Sequence, residues 1–193
     1  MLIRNFKWLL VLLFPFLSGC AVLVAAGVLS GVGAGAAVSQ DRRTSGMFVE
    51  DERIEFKSER LISEKMGGDV HVNVTSFNRN VLLTGEAPTE ALKKEIGKLV
   101  AGVENVRKVT NEIAVADVSS FTSRSNDALL TSKVKARFLD SGAFQVNHIK
   151  VVTEDAVVYL LGLAKIKEAD SAADIARSTS GVRKVVKVFE YLD

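Results

Sequence analysis

The residue types that most often carry chemistry are scarce in this chain, which holds one cysteine, Cys20, and two histidines, His71 and His148. A lone thiol forms no disulfide within the chain, and two isolated imidazoles do not make a zinc site. Each histidine directly precedes a predicted strand at equivalent repeat positions, which favours a structural role. No nucleophile-elbow, phosphate-loop or metalloprotease motif occurs. We therefore expect no catalytic residue, no metal, no cofactor and no small-molecule substrate: the chain is predicted not to be an enzyme.

The surroundings of the cysteine are more informative. Leu17-Ser18-Gly19-Cys20 follows two basic residues, at positions 4 and 7, and an apolar run over 8–17. These are the parts of a secretory signal peptide, and a run of about ten residues is too short to span a bilayer. The tetrad resembles the bacterial lipobox, whose cysteine sulfur takes a diacylglycerol. We predict a signal peptide over 1–19 and lipid attachment at Cys20. The alternative is an uncleaved signal anchor.

Charge and composition bound the rest of the chain. The full chain has 25 basic and 23 acidic residues, and the signal segment carries two of the basic ones, so the remainder is balanced. Nucleic-acid binding needs a basic patch, so no nucleic-acid partner is expected. Residues 20–50 begin with an Ala- and Gly-rich stretch whose glycines weaken any helix. They are predicted to form a flexible leader behind the lipidated cysteine.

A pattern of strands and helices then occurs twice. Alternating apolar residues predict two hairpins, with strands at 72–77 and 81–85 and again at 149–153 and 157–162. A helix and a third strand follow each hairpin, at 89–100 and 106–115 and again at 166–178 and 185–192. A further helix leads each copy, at 51–66 and 126–140. Its acidic residues, such as Asp51, are expected on a solvated surface.

The predicted fold class is α+β, with two αββαβ domains over 51–117 and 126–193 and a linker over 118–125. Each domain has a three-stranded mixed sheet with two helices packed on it. One unit of about 65 residues is marginally stable alone, so the two copies are expected to pack together.

Four glycines recur at matching positions and are predicted to be structural. Gly85 and Gly162 end the second strands, where a side chain is expected to clash or force an unfavourable backbone angle. Gly102 and Gly181 open the shared pattern Gly-Val-x-x-Val after each helix. A left-handed glycine is expected to end the helix there.

With its lipobox, its two αββαβ copies and Asp41-Arg42-Arg43-Thr44-x-Gly46 in the leader, the chain is similar to the dual BON-domain outer-membrane lipoproteins of Gram-negative bacteria. The resemblance covers the whole mature chain. It implies a non-enzymatic protein, lipid-anchored in the outer membrane and facing the periplasm. It also implies support of envelope integrity, concentration at division sites, and contact with anionic phospholipid through the second domain.

The helix at 126–140 is the candidate binding surface. Three apolar residues form one stripe that predicts its core face: Leu130, Val134 and Phe138. Leu129 and Leu139 lie outside that stripe, among Lys133, Lys135 and Arg137, as in a helix that binds a membrane interface. We predict that these five residues bind a phosphatidylglycerol-like membrane. Alternatively, the two leucines pack on the other domain or on the leader, and the protein is an adaptor for outer-membrane protein assembly or cell-wall remodelling.

Overall fold

The computed structural model describes residues 41–68 and 70–193. The predicted signal peptide, the lipid attachment at Cys20 and the leader up to residue 40 lie outside the described residues. Domain 1 contains α1 Ser45–Met66, β1 His71–Phe77, β2 Asn80–Ala87, α2 Glu90–Ala101, β3 Lys108–Asn111 and β4 Ala114–Val115. Domain 2 contains α3 Phe121–Ser141, β5 Ile149–Glu154, β6 Val157–Ala164, α4 Ile166–Arg177 and β7 Lys184–Tyr191. The predicted α+β class with two αββαβ units is confirmed.

The two sheets share one topology. β1 pairs with β2, and β5 with β6, as antiparallel hairpins. The third strand of each sheet joins its middle strand in parallel, as the helical crossovers require. In domain 1 this strand is divided into β3 and β4, because Ile113 leaves the ladder and is fully buried in the core. In domain 2 the same strand, β7, is continuous.

The middle strands are apolar on both faces because both faces are covered. In β2, Val81 and Leu83 pack with the helices of domain 1, whereas Leu82 faces the other way. Leu82 packs in one cluster with Tyr159 and Leu161 of β6. The two sheets therefore contact each other, each backed by its own pair of helices, and the expectation that the two copies pack together is confirmed.

Both leading helices begin earlier than predicted. α1 begins at Ser45, where the Thr44 hydroxyl accepts a hydrogen bond from the Met47 amide at 3.2 Å. α3 begins at Phe121, where Ser120 caps the helix in the same way. Thr and Ser are favoured N-cap residues, and the polar character of these segments concealed the caps. Residues 45–50 and 121–125, assigned from the sequence to the leader and the linker, therefore lie in helices.

The clash expected of a side chain at Gly85 and Gly162 is confirmed, but these glycines do not lie where the sequence predicted. Gly85 and Gly162 lie inside β2 and β6, so the strand ends predicted at them are wrong. A Cβ at Gly85 would overlap the backbone carbonyl oxygen of His71, at the start of β1. A Cβ at Gly162 would overlap that of His148, just before β5.

The predicted left-handed helix ending is also wrong for both helices. Gly102 is right-handed, with φ −84°. Gly181 does have φ 100°, but it follows Ser178, which caps α4.

Candidate functional site

The outward face of α3 carries three large apolar side chains that are well exposed: Phe121 (78%), Leu129 (62%) and Leu139 (69%). The opposite face is buried through the predicted stripe of Leu130, Val134 and Phe138. One alternative was that Leu129 and Leu139 pack on the other domain. Within the described part of the chain they are exposed instead. The three exposed side chains form an apolar surface that the other described residues leave uncovered.

Phe121 is a member of this surface that the sequence reasoning missed. It lies eighteen residues before Leu139, or about five helical turns at 3.6 residues per turn, so the two side chains project in the same direction. Leu129 lies about 80° around the helix from them. The signal that predicts this arrangement is Ser120, because recognising it as the N-cap extends the helix back to Phe121.

Two of the three predicted basic residues accompany these apolar side chains. Lys133 and Lys135 are exposed, and neither forms an ion pair with any described residue. Arg124, near the start of α3, is also exposed and forms no such pair. Cationic side chains beside apolar tips match the two layers of a phospholipid surface, its headgroup phosphates and its acyl boundary.

Arg137 has a different environment. Its Nη1 donates hydrogen bonds to the Ile175 carbonyl oxygen at 3.0 Å and to the Thr179 hydroxyl at 2.8 Å. These bonds hold the guanidinium against the C-terminal end of α4. The structure thus places the Arg137 guanidinium within the domain, where it binds Ile175 and Thr179, although Arg137 lies one helical turn from Lys133.

A shallow cavity of about 230 Å³ lies beside the N-terminal half of α3. Leu129 and Lys133 line one side, and Asp155, Ser180 and Gly181 lie on the other. The cavity places polar groups of both charges next to the exposed apolar surface.

A buried aspartate fixes α3 on its sheet. The two carboxylate oxygens of Asp127 accept hydrogen bonds from the amides of Asp155 and Ala156, each at 2.9 Å. Both turn residues have positive φ, 47° and 57°, as in the type I′ turns that suit two-residue hairpins. The carboxylate holds this turn in place, so the orientation of the exposed face is set by the hairpin.

Domain 1 repeats this arrangement with Asp51. Asp51 accepts hydrogen bonds from the amides of Asn78 and Arg79 at 2.8 and 2.7 Å, and from the Ser76 hydroxyl at 2.7 Å. It is only 2% exposed, so the expectation that it lies on a solvated helix surface is wrong. A periodicity argument cannot distinguish a buried carboxylate that binds a turn from an exposed one.

The residues just before α1 contact both domains. Arg42 forms a two-pronged pair with Glu168 at 2.7 and 2.8 Å and donates to the Leu163 carbonyl oxygen at 2.7 Å. The hydrogen bonds from Arg42 lower the pKa of Glu168 to about 2. We call residues 41–44 the clasp.

The domain 1 side of the clasp is Arg43. Its guanidinium lies 3.9 Å from the centre of the Phe77 ring and 3.0 Å from a carboxylate oxygen of Asp51. It also bonds Asp41 at 2.9 Å. Burial alone would raise the pKa of Asp41, but its bonds with Arg43 hold that pKa below the ordinary value. The clasp is therefore part of the folded unit.

No helix among residues 41–68 and 70–193 has the length and apolar character needed to cross a membrane.

Comparison with known families agrees with the two-domain architecture. The BON domain matches residues 51–117 and 126–193. These ranges hold the two αββαβ units, so the chain belongs to the BON-domain family and, within it, to the dual BON-domain lipoproteins.

The relatives agree with this placement. Outer membrane lipoprotein DolP of Haemophilus influenzae is 39% identical over 180 residues, which cover 92% of this chain and 91% of that protein. The 21 kDa hemolysin of Actinobacillus pleuropneumoniae is 33% identical, with 79% of each chain covered. Osmotically-inducible protein Y of Escherichia coli is 30% identical over 79% of this chain and 78% of its own. The likeness to DolP supports an outer-membrane lipoprotein with BON domains.

Proposed function

We propose that this protein is a non-catalytic outer-membrane lipoprotein, anchored through Cys20 and facing the periplasm, that binds anionic phospholipid through α3. Through this binding it supports outer-membrane integrity at division sites. The observation that carries the proposal is the exposed apolar surface of Phe121, Leu129 and Leu139 beside unpaired lysines on one helix.

The free energy of these contacts indicates how strongly α3 can bind a membrane. A fully buried leucine contributes roughly 1.5–3 kcal/mol, and each basic residue near an anionic leaflet roughly 1 kcal/mol. A few such contacts give weak, reversible binding, well below that of the acyl chains expected on Cys20. The acyl chains therefore hold the protein on the membrane, and α3 selects the regions where anionic lipid is enriched.

The anchor is tested separately from the surface. Cys20→Ser removes the sulfur that would carry the diacylglycerol, so cells producing this variant should incorporate no labelled palmitate into the protein. Undiminished labelling of Cys20→Ser would refute lipid attachment at this residue.

The surface is tested with the unlipidated Cys20→Ser chain and vesicles of phosphatidylglycerol or phosphatidylcholine. We expect co-sedimentation with phosphatidylglycerol alone, weakened by salt because screening limits the attraction to about 8 Å at physiological ionic strength. Adding Leu139→Glu should lower the affinity at least about tenfold, since it removes a buried apolar contact and adds a repelled charge. The thermal midpoint should not change, because Leu139 is exposed.

A matched control is Phe56→Glu on α1, whose side chain is 67% exposed. It makes the same change on the equivalent helix of the other domain and should leave vesicle binding intact. Equal binding by wild type and Leu139→Glu would remove the phospholipid proposal.

A second candidate, a protein-interaction adaptor for outer-membrane protein assembly or cell-wall remodelling, is favoured by α1. Val49 and Phe56 are exposed there on one side of the helix, among exposed residues of both charges: Glu52, Arg53, Glu59 and Arg60. Charges of both signs around apolar side chains suit a protein surface with complementary charges, whereas an anionic membrane attracts only the basic ones. If Phe56→Glu abolishes restoration of envelope integrity in cells lacking the protein, and Leu139→Glu does not, the adaptor function is favoured.

A further inference from the structure

The polar end of the contact between the two sheets brings together three metal-ligating side chains. His71 begins β1 and pairs across the hairpin with Glu86 of β2, and its Nδ1 lies 3.0 Å from Glu86 Oε2. Glu154 reaches the same place from β5 of domain 2. One ligand atom from each of the three residues lies within 4.8 Å of the other two. The cluster therefore combines an imidazole and two carboxylates from both domains.

This cluster is buried and short of positive charge. Glu86 is 5% exposed and Glu154 is 9% exposed. Within the described ranges, neither carboxylate forms a salt bridge with a lysine or arginine. Burial raises the pKa of Glu154, although a hydrogen bond from Asn73 at 2.8 Å opposes the rise. Buried carboxylates are normally paired with a cation or bound to a metal. Among the described residues, Glu86 and Glu154 share a single imidazole, that of His71.

A second observation comes from Thr84, which lies opposite Asn73 in the hairpin and is 1% exposed. Its hydroxyl oxygen has no hydrogen-bond partner within the described part of the chain. Thr84 lies two residues before Glu86 in β2, and therefore on the same face of the sheet as the cluster. A water bound to an ion at this cluster would give the Thr84 hydroxyl a hydrogen-bond partner.

We propose that His71, Glu86 and Glu154 form a divalent-metal site that bridges the two BON domains, with water in the fourth position. One imidazole and two carboxylates suit Zn²⁺, whereas Ca²⁺ and Mg²⁺ prefer oxygen ligands alone. Tetrahedral zinc places ligand atoms roughly 3.3–3.6 Å apart, so small side-chain rotations close the observed spacing. The His71 side chain is 20% exposed, which gives the ion a path from solvent.

The site belongs to one repeat only. Seventy-seven residues after Glu86, the repeat offset, domain 2 carries Leu163, so His148 has no carboxylate at the equivalent position. The metal would bind domain 1 through two ligands and domain 2 through one. Its function is to join the domains, independently of lipid binding.

The test is a calorimetric titration of Zn²⁺ into the full-length protein, purified in detergent and stripped with EDTA. We expect one ion per chain and a thermal midpoint that rises with zinc. Glu154→Gln should lower the zinc affinity at least about 100-fold, more than the loss of a supporting residue around a metal site. Glu95→Gln, the same change at an exposed carboxylate of α2, should bind zinc as wild type does.

A second variant keeps the proposal falsifiable if Glu154→Gln folds poorly. Asn73→Asp adds a carboxylate to the cluster, so it should raise the zinc affinity while lowering the thermal midpoint in EDTA. Zinc binding that is absent in wild type, unchanged in Glu154→Gln, or not strengthened by Asn73→Asp would overturn the assignment.

Discussion

α1 and α3 occupy equivalent positions on their sheets but present different surfaces to their surroundings. Both are capped by a hydroxyl residue and bind a hairpin turn through a buried aspartate, Asp51 or Asp127. Outside, α1 presents acidic and basic side chains in mixture, and burial and repulsion from the neighbouring Glu55 and Glu52 raise the pKa of Glu59. The outward face of α3 instead presents lysines among exposed apolar residues. The repeated fold thus constrains the inward positions, and the outward positions determine which partner each domain can bind.

The largest expected effect comes from replacing Gly85, the more strained of the paired glycines. Gly162→Ala brings a Cβ against the His148 carbonyl oxygen, at a cost of about 1–3 kcal/mol for overpacking. Gly85→Ala meets the equivalent clash and also needs φ 108°, which adds about 1–3 kcal/mol of backbone strain. Denaturant unfolding should show Gly85→Ala as the less stable variant. Equal midpoints would mean that the backbone angle of Gly85 relaxes freely.

Replacing the buried aspartate should also destabilise domain 1 more than domain 2. Asp51→Ala leaves the buried Arg43 guanidinium without one of its partners and costs about 3–5 kcal/mol. Asp127→Ala leaves two turn amides unsatisfied and costs about 1–3 kcal/mol. Urea unfolding of both variants measures the difference. A larger loss for Asp127→Ala would show that domain 2 depends more on its turn than domain 1 does.

Within α3, Lys135 and Arg137 are only two positions apart in sequence but have different surroundings. Lys135→Ala should weaken binding to phosphatidylglycerol vesicles about fivefold, or roughly 1 kcal/mol, with no change in thermal midpoint. Arg137→Ala should lower the thermal midpoint, because it removes the bonds to Ile175 and Thr179. If Arg137→Ala reduces vesicle binding while the midpoint stays constant, its guanidinium belongs to the binding surface after all.

The smallest expected effect is a pH dependence on the domain 2 side of the clasp. The pKa of Glu168 falls on folding from 4.5 to about 2, so its pairing with Arg42 stabilises the fold fully above pH 4.5. That contribution is lost as the pH falls toward 2. Unfolding midpoints at about pH 5 and about pH 3 should therefore differ less in Arg42→Ala than in wild type. An identical pH dependence in both proteins would show that Glu168 does not contribute.

The sequence predicted the repeated elements because their apolar periodicity and glycine punctuation are local signals. It missed the starts of α1 and α3, because Thr44 and Ser120 lie in polar segments without a helical pattern of apolar residues. It also missed the roles of Asp51 and Arg137, since each depends on a partner far along the chain.

Of the candidate site, Leu129 and Leu139 could be placed from the helical wheel alone, because the angle between residues is fixed. Phe121 could not be placed without the helix cap. The His71 cluster could not be foreseen, because one histidine and two glutamates far apart in the chain form no metal-ligand spacing. The third ligand, Glu154, joins it only when the two domains pack together.

The clasp determines how mechanical force enters this protein. Asp41 lies on the Cys20 side of two arginines, one that holds domain 2 and one that holds domain 1. A pull from that direction is therefore shared between the two domains in parallel, rather than passing through domain 1 and the short connection to α3. The Arg42–Glu168 contact is the more exposed of the two, so under load it should yield first, freeing domain 2 while domain 1 stays held.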